Sequence, residues 1–151
     1  MDAVDIRIIE CLKANSRENA SVIGNKVNMS VSAVIERIRK LESSGIIKQY
    51  TAVLDKEMLG MDLTSFIFVN LEHPKFCGAF SEYVKKHPQI IECHSVTGKY
   101  TYILKVCVEN AKGLDRILTD INSVSGVVST ETQIVLSTEK EVYSPEINDE
   151  F

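Results

Sequence analysis

SVSAVIERIRKLESSG, residues 30–45, is the stretch on which the reading of this chain turns. Val34, Ile38 and Leu41 recur at i, i+4 and i+7, which puts them on one stripe of a helix. Glu36, Arg37, Arg39 and Lys40 fall off that stripe. Ser30 suits the N-cap, where a hydroxyl can accept a first-turn N–H that has no partner inside the helix. Gly45 suits the far end, where the chain leaves a helix in the left-handed conformation. Just upstream, SVIGNKVNMS reads as a shorter helix through Val22, Ile23 and Val27, followed by a tight Asn28-Met29 connection. Two short helices joined in this way make a helix-turn-helix, whose second member can enter a DNA major groove. The same spacing also fits an ordinary helical hairpin with a solvated basic face, and periodicity alone does not choose between the two.

Working outward, Asp2 or Asp5 can cap a first helix carrying Ile8, Ile9 and Leu12 and ending near Ala14-Asn15. Three short helices must face one another, since none buries its own apolar stripe. A trihelical head over residues 1–49 follows. IIKQYTAVLD, residues 46–55, is rich in β-branched residues and predicts a strand leading out of the head, within a hinge at 50–61.

From about Leu63 the pattern becomes strand, helix, strand, twice over. Strands are expected at Phe66–Leu71, Ile90–Val96, Tyr100–Val108 and Val127–Leu136. One helix carries Phe76, Phe80, Tyr83 and Val84 and closes at His87-Pro88. The other is capped by Asn110 and carries Leu114, Ile117, Leu118 and Ile121. Two β-α-β units in one small domain fit the split βαβ, or ferredoxin-like, arrangement over residues 62–142. The tail, 143–151, ends in the acidic SPEINDEF and is expected to fray. The fold class is therefore α+β: a trihelical (winged) helix-turn-helix head on a ferredoxin-like βαββαβ domain.

Helices can cover only one face of the four-stranded sheet. The other still carries apolar side chains, and an uncovered apolar sheet face usually marks an interface. Face-to-face homodimerisation with two-fold symmetry follows. Two symmetric recognition helices would then address a pseudo-palindromic stretch of double-stranded DNA.

Charge supports this division. The chain carries a net −4, yet residues 1–50 hold +2 and residues 51–151 hold −6. Within 26–48 there are five basic against two acidic residues, so positive charge gathers around the second helix of the pair. With 44% apolar and 25% charged residues, the composition is that of a globular protein. No apolar run reaches the roughly 18 residues that read as a spanning helix. The acidic start lacks the basic region of a signal peptide, and a cytoplasmic location is the expectation.

Cys11, Cys77, Cys93 and Cys107 form no C-x-x-C and no metal-ligand spacing, and are read as reduced and mostly buried. The histidines, His73, His87 and His94, have no neighbouring nucleophile pattern. Neither G-x-x-x-x-G-K-[ST] nor H-E-x-x-H occurs. The sequence therefore carries no signal for an enzyme, a metal or a cofactor. The competing class is a small-molecule-binding or metabolic protein whose head is a helical interaction module without DNA.

With both halves in view, the sequence resembles the Lrp/AsnC family of transcription regulators. In the head the likeness rests on Asp2, Asp5, Ile8, Ile9 and Leu12, on Asn15-Ser16-Arg17, and on Ser30, Ser32, Val34, Arg37, Ile38, Leu41-Glu42 and Gly45-Ile46-Ile47. Tyr50-Thr51-Ala52-Val53-Leu54-Asp55 with Leu59-Gly60 and Val96-Thr97-Gly98-Lys99-Tyr100-Thr101-Tyr102 extend it into the second half. The resemblance implies a ligand-binding domain of the family's RAM type, dimers that often assemble into octamers, and an amino-acid effector held between dimers.

Candidate DNA contacts are Ser30, Ser32, Glu36, Arg37, Arg39, Lys40 and Lys48. Arg37 is placed to reach a guanine edge or a phosphate, Lys40 and Lys48 a phosphate, and Ser32 a base or a phosphate. Glu36 can accept from a cytosine or pair with Arg39 or Lys40 along the helix. Candidate effector contacts are Gly98, Lys99, Tyr100, Thr101, Thr132 and Gln133, because a turn glycine lets backbone N–H groups approach a carboxylate. The family commonly places an acid after the loop tyrosine, where it can pair with an ammonium; this chain has Thr101 there, and Lys99 after Gly98. Losing one charge-assisted hydrogen bond costs roughly 1.5–3 kcal/mol. The expectation is a weaker effector, an unusual one, or none.

Overall fold

A computed structural model describes residues 1–147. The chain divides into two units, one of Met1–Val53 together with the segment from Lys140 onward, the other of Leu54–Glu139.

In the first unit, α1 spans Ala3–Ala14, α2 Ala20–Val27 and α3 Val31–Ser43. Asp2 opens α1 by accepting the N–H groups of Val4 (3.0 Å) and Asp5 (2.9 Å). Asp5 returns the bond to the Asp2 N–H at 3.0 Å, so both carboxylates satisfy donors that the helix leaves open. Asn28, in the left-handed conformation with φ 57°, closes α2. Gly24 permits that tight turn: a Cβ there would lie 2.7 Å from the Met29 carbonyl oxygen. Ser30 caps α3 through the Ala33 N–H at 3.3 Å. Ile8, Ile9, Leu12, Ile23, Val27, Val34 and Leu41 form the core that the three stripes share.

No strand forms between residues 46 and 55, so the head has no wing. β-Branched composition supplies propensity, but a strand needs a neighbour to share its ladder. Ile47 instead turns back, donating its N–H to the Leu41 carbonyl at 3.1 Å and packing on the helical core. Val53 and Leu54 are left 61% and 63% exposed. The tail also departs from expectation. Ile147 packs on the head's core, and the Lys13 ammonium donates to the Pro145 carbonyl at 2.7 Å. The rest of the acidic tail, 148–151, lies outside the described residues.

In the second unit, β1 (Leu63–Leu71) leads through a 3-10 turn into α4 (Cys77–Lys86), then β2 (Ile90–Ser95) and β3 (Tyr102–Val108). The helix α5 (Ala111–Ser123) and β4 (Val127–Ile134) complete it. The sheet is antiparallel throughout, in the order β2-β3-β1-β4, which is the split βαβ arrangement expected. Ile67, Val69, Leu104, Val106 and Val108 point to one face and are buried beneath Phe80 and Val84 of α4 and Leu114, Ile117 and Ile121 of α5. The alternating residues Phe66, Phe68 and Ile103 are only half-buried, which leaves an apolar centre on the open face. All four cysteines are free; Cys107 is buried and the other three are partly exposed.

Candidate nucleic-acid interface and effector loop

The exposed surface of α3 has two parts. Ser32, Ile35, Glu36 and Arg39 share one face at helical spacing, and all four are exposed. Val31 and Ile35, 45% and 38% exposed, form an apolar pair at i, i+4 on the outside of the helix. The i, i+4 spacing of Val31 and Ile35 is present in the sequence beside the inward Val34–Leu41 stripe. Apolar side chains there can meet thymine methyl groups. Ser30 serves as the cap, and its hydroxyl lies 3.1 Å from that of Ser32.

The second part is a groove between the start of α1 and α3, lined by Asp2, Asp5, Glu36, Arg37 and Lys40 among others. Here Arg37, a candidate DNA contact, meets two carboxylates. Its Nη1 donates at 2.7 Å to both Asp2 Oδ2 and Asp5 Oδ1. These bonds push the guanidinium pKa up, while the Asp5 N–H first and Arg37 second hold the Asp2 carboxyl below its ordinary value. Arg37 therefore fastens α3 to the capping box of α1. Arg39, Lys40 and Lys48 are exposed and form no ion pair among the described residues; Lys48 lies beyond the end of α3.

The loop between β2 and β3 turns at Gly98, where φ is +105°. Its side chains meet a carboxylate that local sequence reading could not supply. Glu131 on β4 lies opposite Phe68 of β1 and faces the open side of the sheet. The Tyr100 hydroxyl donates to Glu131 Oε2, and the Lys99 ammonium stands 3.7 Å from the same oxygen. That ammonium also sits 4.8 Å from the centre of the Tyr100 ring, which packs on Phe68 at 5.0 Å between centroids. Gln133 Nε2 reaches the other Glu131 oxygen at 3.4 Å. The Tyr100 bond, with smaller help from Gln133 and Lys99, lowers the Glu131 pKa; the Tyr100 hydroxyl and the carboxylate raise that of Lys99.

Lys99, Tyr100 and Gln133 are thus brought together, with Glu131 as the residue that was missed. Its signal was the i, i+2 spacing with Gln133, which puts both on one face of β4. Thr132, between them, pairs with Ile67 and points to the helix side, away from the loop. Thr101 is committed to the backbone: its Oγ1 accepts the Leu71 N–H at 3.2 Å, and its own N–H donates to Val69 O at 2.9 Å. Elsewhere on the open face Glu92 takes the Lys105 ammonium at 3.2 Å and lies 3.4 Å from His94 Nε2. Among the described residues no cluster of His, Cys, Asp and Glu can hold a metal, and no helix is long and apolar enough to cross a membrane.

A helix-turn-helix head with exposed cations on its second helix, joined to a ferredoxin-like domain with a polar loop, defines a class: DNA-binding transcription regulators that carry a ligand-binding domain. Residues 1–42 match the AsnC-type helix-turn-helix domain and residues 64–145 the Lrp/AsnC ligand binding domain. The chain belongs to the Lrp/AsnC family. It is 36% identical to the HTH-type transcriptional regulator FL11 of Pyrococcus horikoshii, over 93% of each chain. Its fold is similar to that of Bacillus subtilis LrpC, with a TM-score of 0.82 and 33% identity over 93% of this chain and 97% of that one. It is similar also to the regulator NMB0573 of Neisseria meningitidis, solved as an L-Met complex, with a TM-score of 0.92 and 28% identity over 96% of each chain.

Proposed function

We propose that this regulator binds a pseudo-palindromic site on double-stranded DNA as a homodimer, acting in the cytoplasm by binding rather than by catalysis. The observation that carries the reading is the set of exposed cations on and beyond α3 that form no ion pair among the described residues. Arg39 and Lys40, with Lys48, contact phosphates and guanine edges, while Ser32 and Glu36 contact bases or backbone beside Val31 and Ile35. Arg37 holds α3 at its angle to α1.

Dimerisation through the open sheet face is supported by its apolar centre of Phe66, Phe68 and Ile103. The 46–55 segment, with exposed Tyr50, Val53 and Leu54, gains in a dimer the neighbour it lacks in a single chain. Dimers assemble further into octamers. An amino acid or related small molecule, bound between dimers at the Gly98–Tyr100 loop with Gln133, adjusts that assembly; the L-Met bound to the Neisseria relative supports this class of effector.

Sedimentation of the free protein, followed by footprinting on selected genomic fragments, tests the reading. It predicts a dimer or an even-numbered assembly, and two protected half-sites about 34 Å, one helical turn, apart or at a multiple of that. A monomer protecting a single site contradicts it.

A further inference from the structure

The chain is fastened to the helical head at both of its exits. At the first, Ile47 packs on the head's core and the Tyr50 hydroxyl donates to Glu42 Oε1 of α3 at 2.9 Å. The second is the C-terminal segment. Its half-buried Ile147 joins the same core, while the Lys13 ammonium of α1 donates to the Pro145 carbonyl at 2.7 Å. Little slack remains beyond either fastening. Residues 51–55 alone separate Tyr50 from the turn that the Leu59 and Met61 N–H groups close on the Lys56 carbonyl. Residues 136–144 separate Pro145 from Val135, whose N–H still donates to the Thr64 carbonyl of β1 at 2.9 Å. Fully extended, the two spans reach at most about 20 and 35 Å. A body on one short leash can still turn about it. A second leash, attached to a different helix, removes much of that rotation.

We infer that the 145–147 strap, held through Ile147 and Lys13, determines which spacing between two DNA half-sites this regulator accepts. Linked binding modules help each other only where the link lets both engage. A stiff link raises the effective concentration of the second head at the matching separation and lowers it at others. Two base pairs more or fewer between half-sites displace one head by about 7 Å and turn it by about 70° around the duplex. A head on one leash follows that turn, and a head on two resists it. Ile147 and Lys13 act through the orientation of the head and are positioning residues. The inference rests on the homodimer and pseudo-palindromic site read above, and assigns what sets their spacing specificity.

Affinities of full-length wild type, Ile147→Ser and Ile147→Leu test this on duplexes carrying two copies of the footprinted half-site, with the separation varied one base pair at a time. Wild type binds its best spacing about tenfold more tightly than spacings two base pairs longer or shorter. Ile147→Ser, which releases the strap without changing charge, binds the best spacing more weakly and the others more tightly, so that the ratio falls to about threefold or less. Ile147→Leu keeps the wild-type ratio. Truncation after Glu139 removes the strap together with four acidic residues and lowers the ratio to the same value as Ile147→Ser. A destabilised head or an altered charge would instead shift affinity alike at every spacing. Such a uniform shift in Ile147→Ser, or a ratio equal to that of wild type, overturns the inference and leaves the homodimer reading standing. A wild type that protects two half-sites with no preference for their spacing also overturns it. If wild type protects a single half-site, the homodimer reading falls and the role of the strap with it.

Discussion

The α3 surface and the β2–β3 loop both present lysine and arginine to solvent, yet they use the charge in opposite ways. On and beyond α3, Arg39, Lys40 and Lys48 have no ion-pair partner among the described residues, and Arg37 alone is held by two carboxylates. At the loop, the cation is held, and the carboxylate that holds it belongs to another strand. A count of basic residues treats all of these alike. The partner of each cation decides whether it is available to a phosphate or is held by a carboxylate within the chain.

The two regions also rest on separate cores, and the largest effect expected follows from that. Leu41 is 3% exposed on the inner side of α3. Leu41→Ala costs about 2–5 kcal/mol in the head, by lost transfer energy and the cavity left behind. By calorimetry or by hydrogen exchange, the head loses that stability while the amides of β1 and β3 keep their protection. Equal loss in both would show that the two cores melt as one.

A contrast inside α3 gives the next effect. Lys40→Ala leaves thermal stability unchanged and reduces the slope of log affinity for DNA against log salt by about 1, the release expected of one phosphate contact. Arg37→Ala does the reverse: the head melts at lower temperature and the slope is unchanged, since its guanidinium is already neutralised by Asp2 and Asp5. The smallest effect is one of pH. Asp2 has its pKa lowered in the folded head, so its contribution is complete above the ordinary carboxyl value and is lost as pH falls through the lowered one. Acid titration followed by circular dichroism therefore shows the wild-type head weakening below about pH 4. Asp2→Asn, which keeps a capping oxygen, loses less over that range.

Much of the fold was legible because its signals are local. The Asp2, Ser30 and Asn110 caps and the helical stripes depend on residues within two turns of one another, and each helix begins where its cap predicts. Strand ends were less legible, since ladders set them: β1 begins at Leu63 rather than Phe66, and β4 stops at Ile134 rather than Leu136. The 46–55 segment has the composition of a strand and lacks its neighbour. The sites divide in the same way. The exposed face of α3 follows from helical spacing alone. The Arg37 clamp joins residues 35 and 32 apart, and the Tyr100–Glu131 contact residues 31 apart, so neither is visible along the sequence. Thr132 lies on the other face of β4 from Glu131 and Gln133, since neighbours on a strand face opposite ways.

The most direct test of the account is fluorescence anisotropy of the full-length protein on a footprinted DNA site, titrated over a series of salt concentrations, for wild type and Arg39→Ala/Lys40→Ala. The account predicts a steep linear fall of log affinity with log salt for wild type, and a slope smaller by about 2 per protomer for the double variant at unchanged thermal stability. Identical slopes for the two proteins, or a wild-type affinity indifferent to salt, would contradict it.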